Sequence, residues 1–95
     1  MDDTKLISVI QSVGMETFVK YFEAFFDMSK SSADLVDAIM KIEGYNKNST
    51  RTKVSAARRI IQKNCYIKAL TMVANSTNTE EWVPPRAKYL LGVYT

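Results

Sequence analysis

Residues 43–68, EGYNKNSTRTKVSAARRIIQKNCYIK, decide how the rest of the chain is read. They carry seven basic side chains (Lys47, Arg51, Lys53, Arg58, Arg59, Lys63 and Lys68), and after Glu43 no acid follows until Glu80. The middle of this stretch predicts a helix from about Thr50 to Lys63. At 3.6 residues per turn, Val54, Ala57 and Ile61 share a narrow apolar stripe, with Ile60 beside it. Arg51, Ser55, Arg58 and Gln62 recur at i, i+4, i+7 and i+11 and form a polar stripe on another side. The helix is therefore expected to dock by one face and to present the other.

Charge is strongly segregated on either side of this stretch. Met1 to Gly44 holds four lysines against eight acids, and Tyr45 to Thr79 holds seven basic residues and no acid. From Glu80 onward two acids balance Arg86 and Lys88, so a formal charge of +3 hides an acidic half and a basic half. Such segregation points to a polyanion on the basic side and to a different partner on the other. The bland alternative is a basic helix that is simply solvated.

Ninety-five residues, 46% of them apolar, suffice for one folded domain and exclude a disordered tail. Asp2 and Asp3 after Met1 do not read as a signal peptide, and no apolar run approaches the ~20 residues of a membrane span. The lone Cys65 has no partner for an intramolecular disulfide and is expected to be partly buried. A cytoplasmic location is the simplest expectation.

Periodicity and punctuation elsewhere predict an all-α domain of five or six short helices spanning residues 1–95. A first helix, capped by Asp3 or Thr4, runs to about Val13, buries Leu6, Ile7, Ile10 and Val13, and stops at Gly14. Met15 to Ser29 reads as one aromatic helix and the central packing element, with Phe18, Phe22 and Phe25 on one face. Ser31 with Asp34 resembles a capping box and starts a third helix from about Ala33 to Glu43, ended by Gly44. Gly44 to Thr50 is expected to be a long turn, with Asn48, Ser49 or Thr50 capping the basic helix and Asn64 ending it. A fifth helix covers Cys65 to Ala74. Pro84 suits the start of a last one through Leu91, and Trp82 is expected to anchor the core. No strand signal is present.

Catalysis is hard to build from these residues. The chain has no His, so the commonest general base is missing, and one Cys makes neither a Cys–His pair nor a zinc cluster. Asp2 with Asp3, and Asp34 with Asp37, fit capping and solubility rather than an EF-hand. The three glycines are isolated and form no phosphate loop. No enzyme activity, metal or cofactor is expected.

Arg and Gln can bond guanine and adenine edges bidentately, Ser can donate or accept, and Lys suits phosphates. The order of an acidic helix, an EGY turn and TRTKVSAARRI resembles small helix–turn–helix DNA-binding proteins of phage and mobile-element type. The resemblance covers residues 33–63, and its motif has low specificity. It implies a transcription regulator that contacts duplex DNA, with an extended turn between the two helices. Arg51, Ser55, Arg58 and Gln62 would then face the major groove, while Lys47, Lys53, Arg59 and Lys63 contact phosphates. Two half-sites would call for a homodimer. Tyr21, Phe22 and Phe26 are the candidate interface, and Tyr89, Leu90 and Val93 of the last helix are a rival. RNA is less favoured, because no aromatic–basic platform on strands is present. The alternative classes are a protein-binding module, a phage-type inhibitor acting by protein contact, and a structural adaptor in an assembly.

Overall fold

Side-chain caps open three of the seven helices in the computed structural model, which describes all 95 residues. Asp2 accepts a hydrogen bond from the Lys5 amide and opens α1 (Asp3–Val13); Gly14, at φ 86°, ends it. The aromatic segment forms two short helices, α2 (Met15–Lys20) and α3 (Phe22–Phe26). Ser31 accepts from the Asp34 amide and opens α4 (Ser32–Glu43), which closes on Gly44 in the left-handed region. α5 (Lys47–Gln62), α6 (Tyr66–Ala74) and α7 (Val83–Tyr94) complete an all-α domain with no strand. No helix is long and apolar enough to cross a membrane.

α5 starts three residues before its expected first residue because Asn46 is its cap, accepting from the Ser49 amide at 2.7 Å. The hydroxyls of Thr50 and Thr52 bond back to the carbonyls of Asn46 and Asn48 instead of capping anything. The connection from α4 to α5 is therefore only Gly44, Tyr45 and Asn46. That replaces the extended turn with the tight form, three or four residues with a glycine, found in helix–turn–helix units. Asn64, at φ 61°, turns the chain out of α5 as expected.

The core is one cluster with α5 on one side and α7 on the other. α1 and α4 both pack on α5, while α7 packs on α6 and α2. Leu6, Val9, Ile10 and Val13 form the buried face of α1; Ile7, expected inside, is 46% exposed, because Val9 completes the i, i+3, i+4, i+7 stripe instead.

The break at Tyr21 (φ −111°, ψ 16°) turns α3 away from the line of α2. Phe18, Val19, Phe22 and Phe25, at i, i+1, i+4 and i+7, keep one core-facing stripe across the break, and all four are fully buried. Phe22 then meets Phe18 edge-on at 5.5 Å and Tyr94 at 5.0 Å, and Phe26 lies 4.7 Å from Tyr94 and 5.3 Å from Tyr66. Such pairs stabilise by about 0.5–1.5 kcal/mol each beyond their burial. Trp82, expected in the core, is 44% exposed, because Val83 beside it is the residue that α7 sends inward.

The same bend aims the Tyr21 hydroxyl at the end of α4. Tyr21 Oη donates to Glu43 Oε2 at 2.5 Å, and Lys20 Nζ reaches the same oxygen at 2.6 Å. One residue past the turn glycine, the Tyr45 hydroxyl lies 3.4 Å from Thr17 Oγ1. The α4–α5 corner is thus held against α2 from both sides of Gly44.

Burial, and then the bond to Glu43, push the Tyr21 hydroxyl up to about 12. Lys20 and then Tyr21 hold the Glu43 carboxyl below its ordinary value of 4.5. A raised tyrosine pKa gives stability that is present below its ordinary value of 10.0 and disappears as pH rises toward about 12. A lowered glutamate pKa gives stability that is present above 4.5 and lost on acidification below it. Urea unfolding across pH should show both losses. Tyr21→Phe should flatten the alkaline one, and Glu43→Gln should reduce both.

Candidate nucleic-acid interface

The turn of Gly44–Asn46 and the packing of α1 and α4 leave one side of α5 uncovered. Along it, Asn48, Arg51, Thr52, Ser55, Arg59 and Gln62 are all exposed. Their spacing (i, i+3, i+4, i+7, i+11, i+14) makes one continuous stripe. Lys47 and Lys63 stand exposed at the two ends of the helix. Lys47, Arg51, Ser55, Arg59 and Gln62 also line an open groove of about 890 Å³, whose other walls are Val9 and Ser12 of α1 and Ser32, Ala33, Val36 and Asp37 of α4.

Arg58 borders the groove but is withdrawn from the exposed stripe, although the spacing from Arg51 placed it there. It is 8% exposed. Its Nη2 donates to the carbonyls of Lys30 at 2.6 Å and Asp27 at 3.1 Å, and its Nη1 to Ser32 Oγ at 3.2 Å. The physical reason is its position four residues beyond buried Val54, on the edge of the polar arc that the Asp27–Ser32 segment covers. Arg58 ties the entrance of α4 to the middle of α5.

Lys53 is also withdrawn. Its Nζ donates to the Val13 carbonyl at 3.0 Å and lies 5.2 Å from the centre of the Tyr45 ring. A cation on the last carbonyls of α1 complements the negative end of that helix. Lys68, outside the candidate set, pairs with Asp3.

The remaining α5 cations have no counter-charge within the chain. The three ion pairs are Lys20–Glu43, Lys68–Asp3 and Arg86–Glu23, and none involves Lys47, Arg51, Arg59 or Lys63. Asp37 is the one carboxylate that lines the groove. What survives of the expected site is therefore Lys47, Arg51, Ser55, Arg59, Gln62 and Lys63. Asn48 and Thr52 join it. Asn48 falls in the turn expected before the helix, and Thr52 falls inside the expected helix but off the spacing of Arg51, Ser55, Arg58 and Gln62.

The candidate dimer surface on the aromatic segment changes more. Phe22 is fully buried, and Phe26 is half-buried under Tyr66 and Tyr94. Tyr21 is half-buried and engaged with Glu43. Leu90 of the rival surface is also fully buried, whereas Tyr89 (57%), Val93 (55%) and Trp82 (44%) are the exposed apolar residues of the last helix and its cap.

Replacing Arg58 by alanine leaves the Lys30 carbonyl and the Ser32 hydroxyl without their protein donor, while the Asp27 carbonyl keeps the Lys30 amide, so we expect a loss of about 1–3 kcal/mol in urea unfolding. Arg51→Ala and Arg59→Ala, on the open stripe, should each stay within about 0.5 kcal/mol of the unsubstituted protein.

Compared with protein-family models, with curated proteins and with solved structures, the chain matches none.

Proposed function

We propose that this protein binds nucleic acid, with duplex DNA as the ligand and α5 as the contact helix. The observation that carries the reading is the uncompensated charge of Lys47, Arg51, Arg59 and Lys63 on one open face. Partners of such a face are polyanions, and phosphates repeat at the spacing that several cations on one helix can meet together. The three-residue turn supports a helix–turn–helix arrangement, in which α4 braces and α5 reads.

Roles follow from exposure. Lys47, Arg59 and Lys63 contact phosphates. Arg51, Ser55 and Gln62, together with Asn48, face base edges, Arg toward guanine and Asn or Gln toward adenine. Readers of this type use the first half of the recognition helix, and Asn48, Arg51 and Ser55 lie there. Sixteen helical residues span about 24 Å, less than the ~34 Å of one duplex turn. One copy therefore contacts a short site, as a transcription regulator's half-site is.

Self-association is a compatible second reading, favoured by α7. Trp82, Tyr89 and Val93 fall at i, i+7 and i+11 on its outer side, and Tyr89 carries Arg86 over its ring at 5.1 Å. Trp, Tyr and Arg are the residue types that dominate protein contacts. Sedimentation of the protein beside a Trp82→Ala, Tyr89→Ala variant distinguishes a dimer from a monomer.

Titration into labelled duplex of random sequence should give micromolar or tighter binding at low salt. Three phosphate contacts predict a slope of about −2.7 in log K against log salt. Arg59→Ala with Lys63→Ala should make that slope shallower by about 2 while leaving the fold intact. An affinity weaker than about 100 μM at low salt, the nonspecific limit of DNA-binding proteins, contradicts the reading.

A further inference from the structure

α5 has a helix on each flank, and the two flanks differ in charge. Arg58 marks the α4 side, because its guanidinium donates to Ser32. At 3.6 residues per turn, Lys47 and Arg51 lie within roughly 20° of Arg58 around the helix axis. Thr52, Ala56, Arg59 and Lys63 lie roughly 100–160° round from it, all in the same direction. α1 takes that second flank. Val9 and Ser12 of α1 line the groove with Thr52, Ala56 and Arg59, and Lys53, a little further round, donates to the Val13 carbonyl.

The α4 flank carries a carboxylate and the α1 flank does not. Asp37 lines the groove and pairs with no cation, so it opposes any phosphate that approaches Lys47 or Arg51. The chain has no acid between Asp3 and Glu16, and neither of those two lines the groove. The negative end of α1 is offset by Lys53 on the Val13 carbonyl. What α1 turns to the groove is the exposed Ser12 and the buried Val9. Arg59 and Lys63 therefore attract an anion on this flank with no carboxylate against them.

We infer that one phosphodiester strand of the ligand runs along the α1 flank of α5, past Ser12 and Arg59, while Asp37 keeps it off the α4 flank. The inference rests on the nucleic-acid reading and deepens it. It adds α1 to the contact surface and sets which edge of α5 follows the backbone, leaving Arg51 to the bases. In helix–turn–helix units the helix before the reader crosses the backbone. In this chain that helix holds the one carboxylate of the groove.

The test compares duplex binding by four variants at one low salt concentration, beside amide NMR of the unsubstituted protein. Ser12→Glu puts a carboxylate on the α1 flank and should weaken binding by roughly tenfold. Ser12→Gln has the same size without the charge and should bind within about twofold of the unsubstituted protein. The Ser12 hydroxyl donates only to the Ser8 carbonyl within α1, so both substitutions keep the fold. Ala38→Glu, exposed on α4 and outside the groove, should weaken binding by less than about twofold. Asp37→Asn should tighten it by less than about threefold, because the strand already avoids that flank. Duplex should shift the Val9 and Ser12 amides.

Ser12→Glu binding as well as Ala38→Glu, or unmoved Val9 and Ser12 amides, overturns the inference and leaves the proposed function standing. Tightening by about tenfold in Asp37→Asn does the same, since it puts the strand on the α4 flank. Ser12→Gln as damaging as Ser12→Glu also overturns it, because charge would not be the cause. No duplex binding by any of the proteins overturns the nucleic-acid reading itself, and the strand assignment with it.

Discussion

The guanidinium of Arg58 is the constraint on which the rest of the arrangement depends. The segment from Asp27 to Ser32 enters α4 with two of its carbonyls and one hydroxyl turned toward Arg58, and part-buried acceptors need donors. One planar side chain with a fixed fork of donors answers all three. Lysine, with a single nitrogen, cannot span them in the same way. The contact joins the start of α4 to the middle of α5. At the far end of α4, Tyr21 and Lys20 hold Glu43 against the bend between α2 and α3. α4 is thereby fixed at both ends, to α5 at its entrance and to α2 and Tyr21 at its close.

That rigidity separates two populations of cations on one helix. Arg58 and Lys53 face inward or sideways, satisfying carbonyls of the α4 entrance and of the α1 end. Lys47, Arg51, Arg59 and Lys63 face water without a carboxylate. The first group costs stability when removed, and the second is free for a ligand. α5 packs on α1 and α4 whereas α7 packs on α6 and α2, so the basic face and the exposed Trp82, Tyr89 and Val93 stand on differently packed helices.

The helical class was legible from the residues, because apolar spacing and capping chemistry are local. Ser31 with Asp34, Gly14, Gly44 and Asn64 act where their chemistry indicates. The exposed half of the basic stripe was legible for the same reason. Arg58 was not, since only a segment some thirty residues away in the chain covers it. Periodicity assigns a residue to an arc, and the edges of an arc are decided by what packs there. Phe22 and Trp82 are misplaced for the converse reason: aromatic side chains suit both core and surface, and what packs beside each selects between them. The early start of α5 turned on which of several neighbouring cap-forming residues, Asn46 among them, won the Ser49 amide.

The separation of Arg58 from Arg51 and Arg59 is measured most directly through the exchange of their side-chain Nε–H protons by NMR, without ligand and then with duplex DNA. Burial predicts that the Arg58 proton exchanges slowly from the outset and keeps its position when duplex is added. Those of Arg51 and Arg59 should exchange rapidly and shift on binding. An Arg58 proton exchanging as fast as the other two would contradict the account, because the side chain would then be in solvent and the brace between α4 and α5 would not exist.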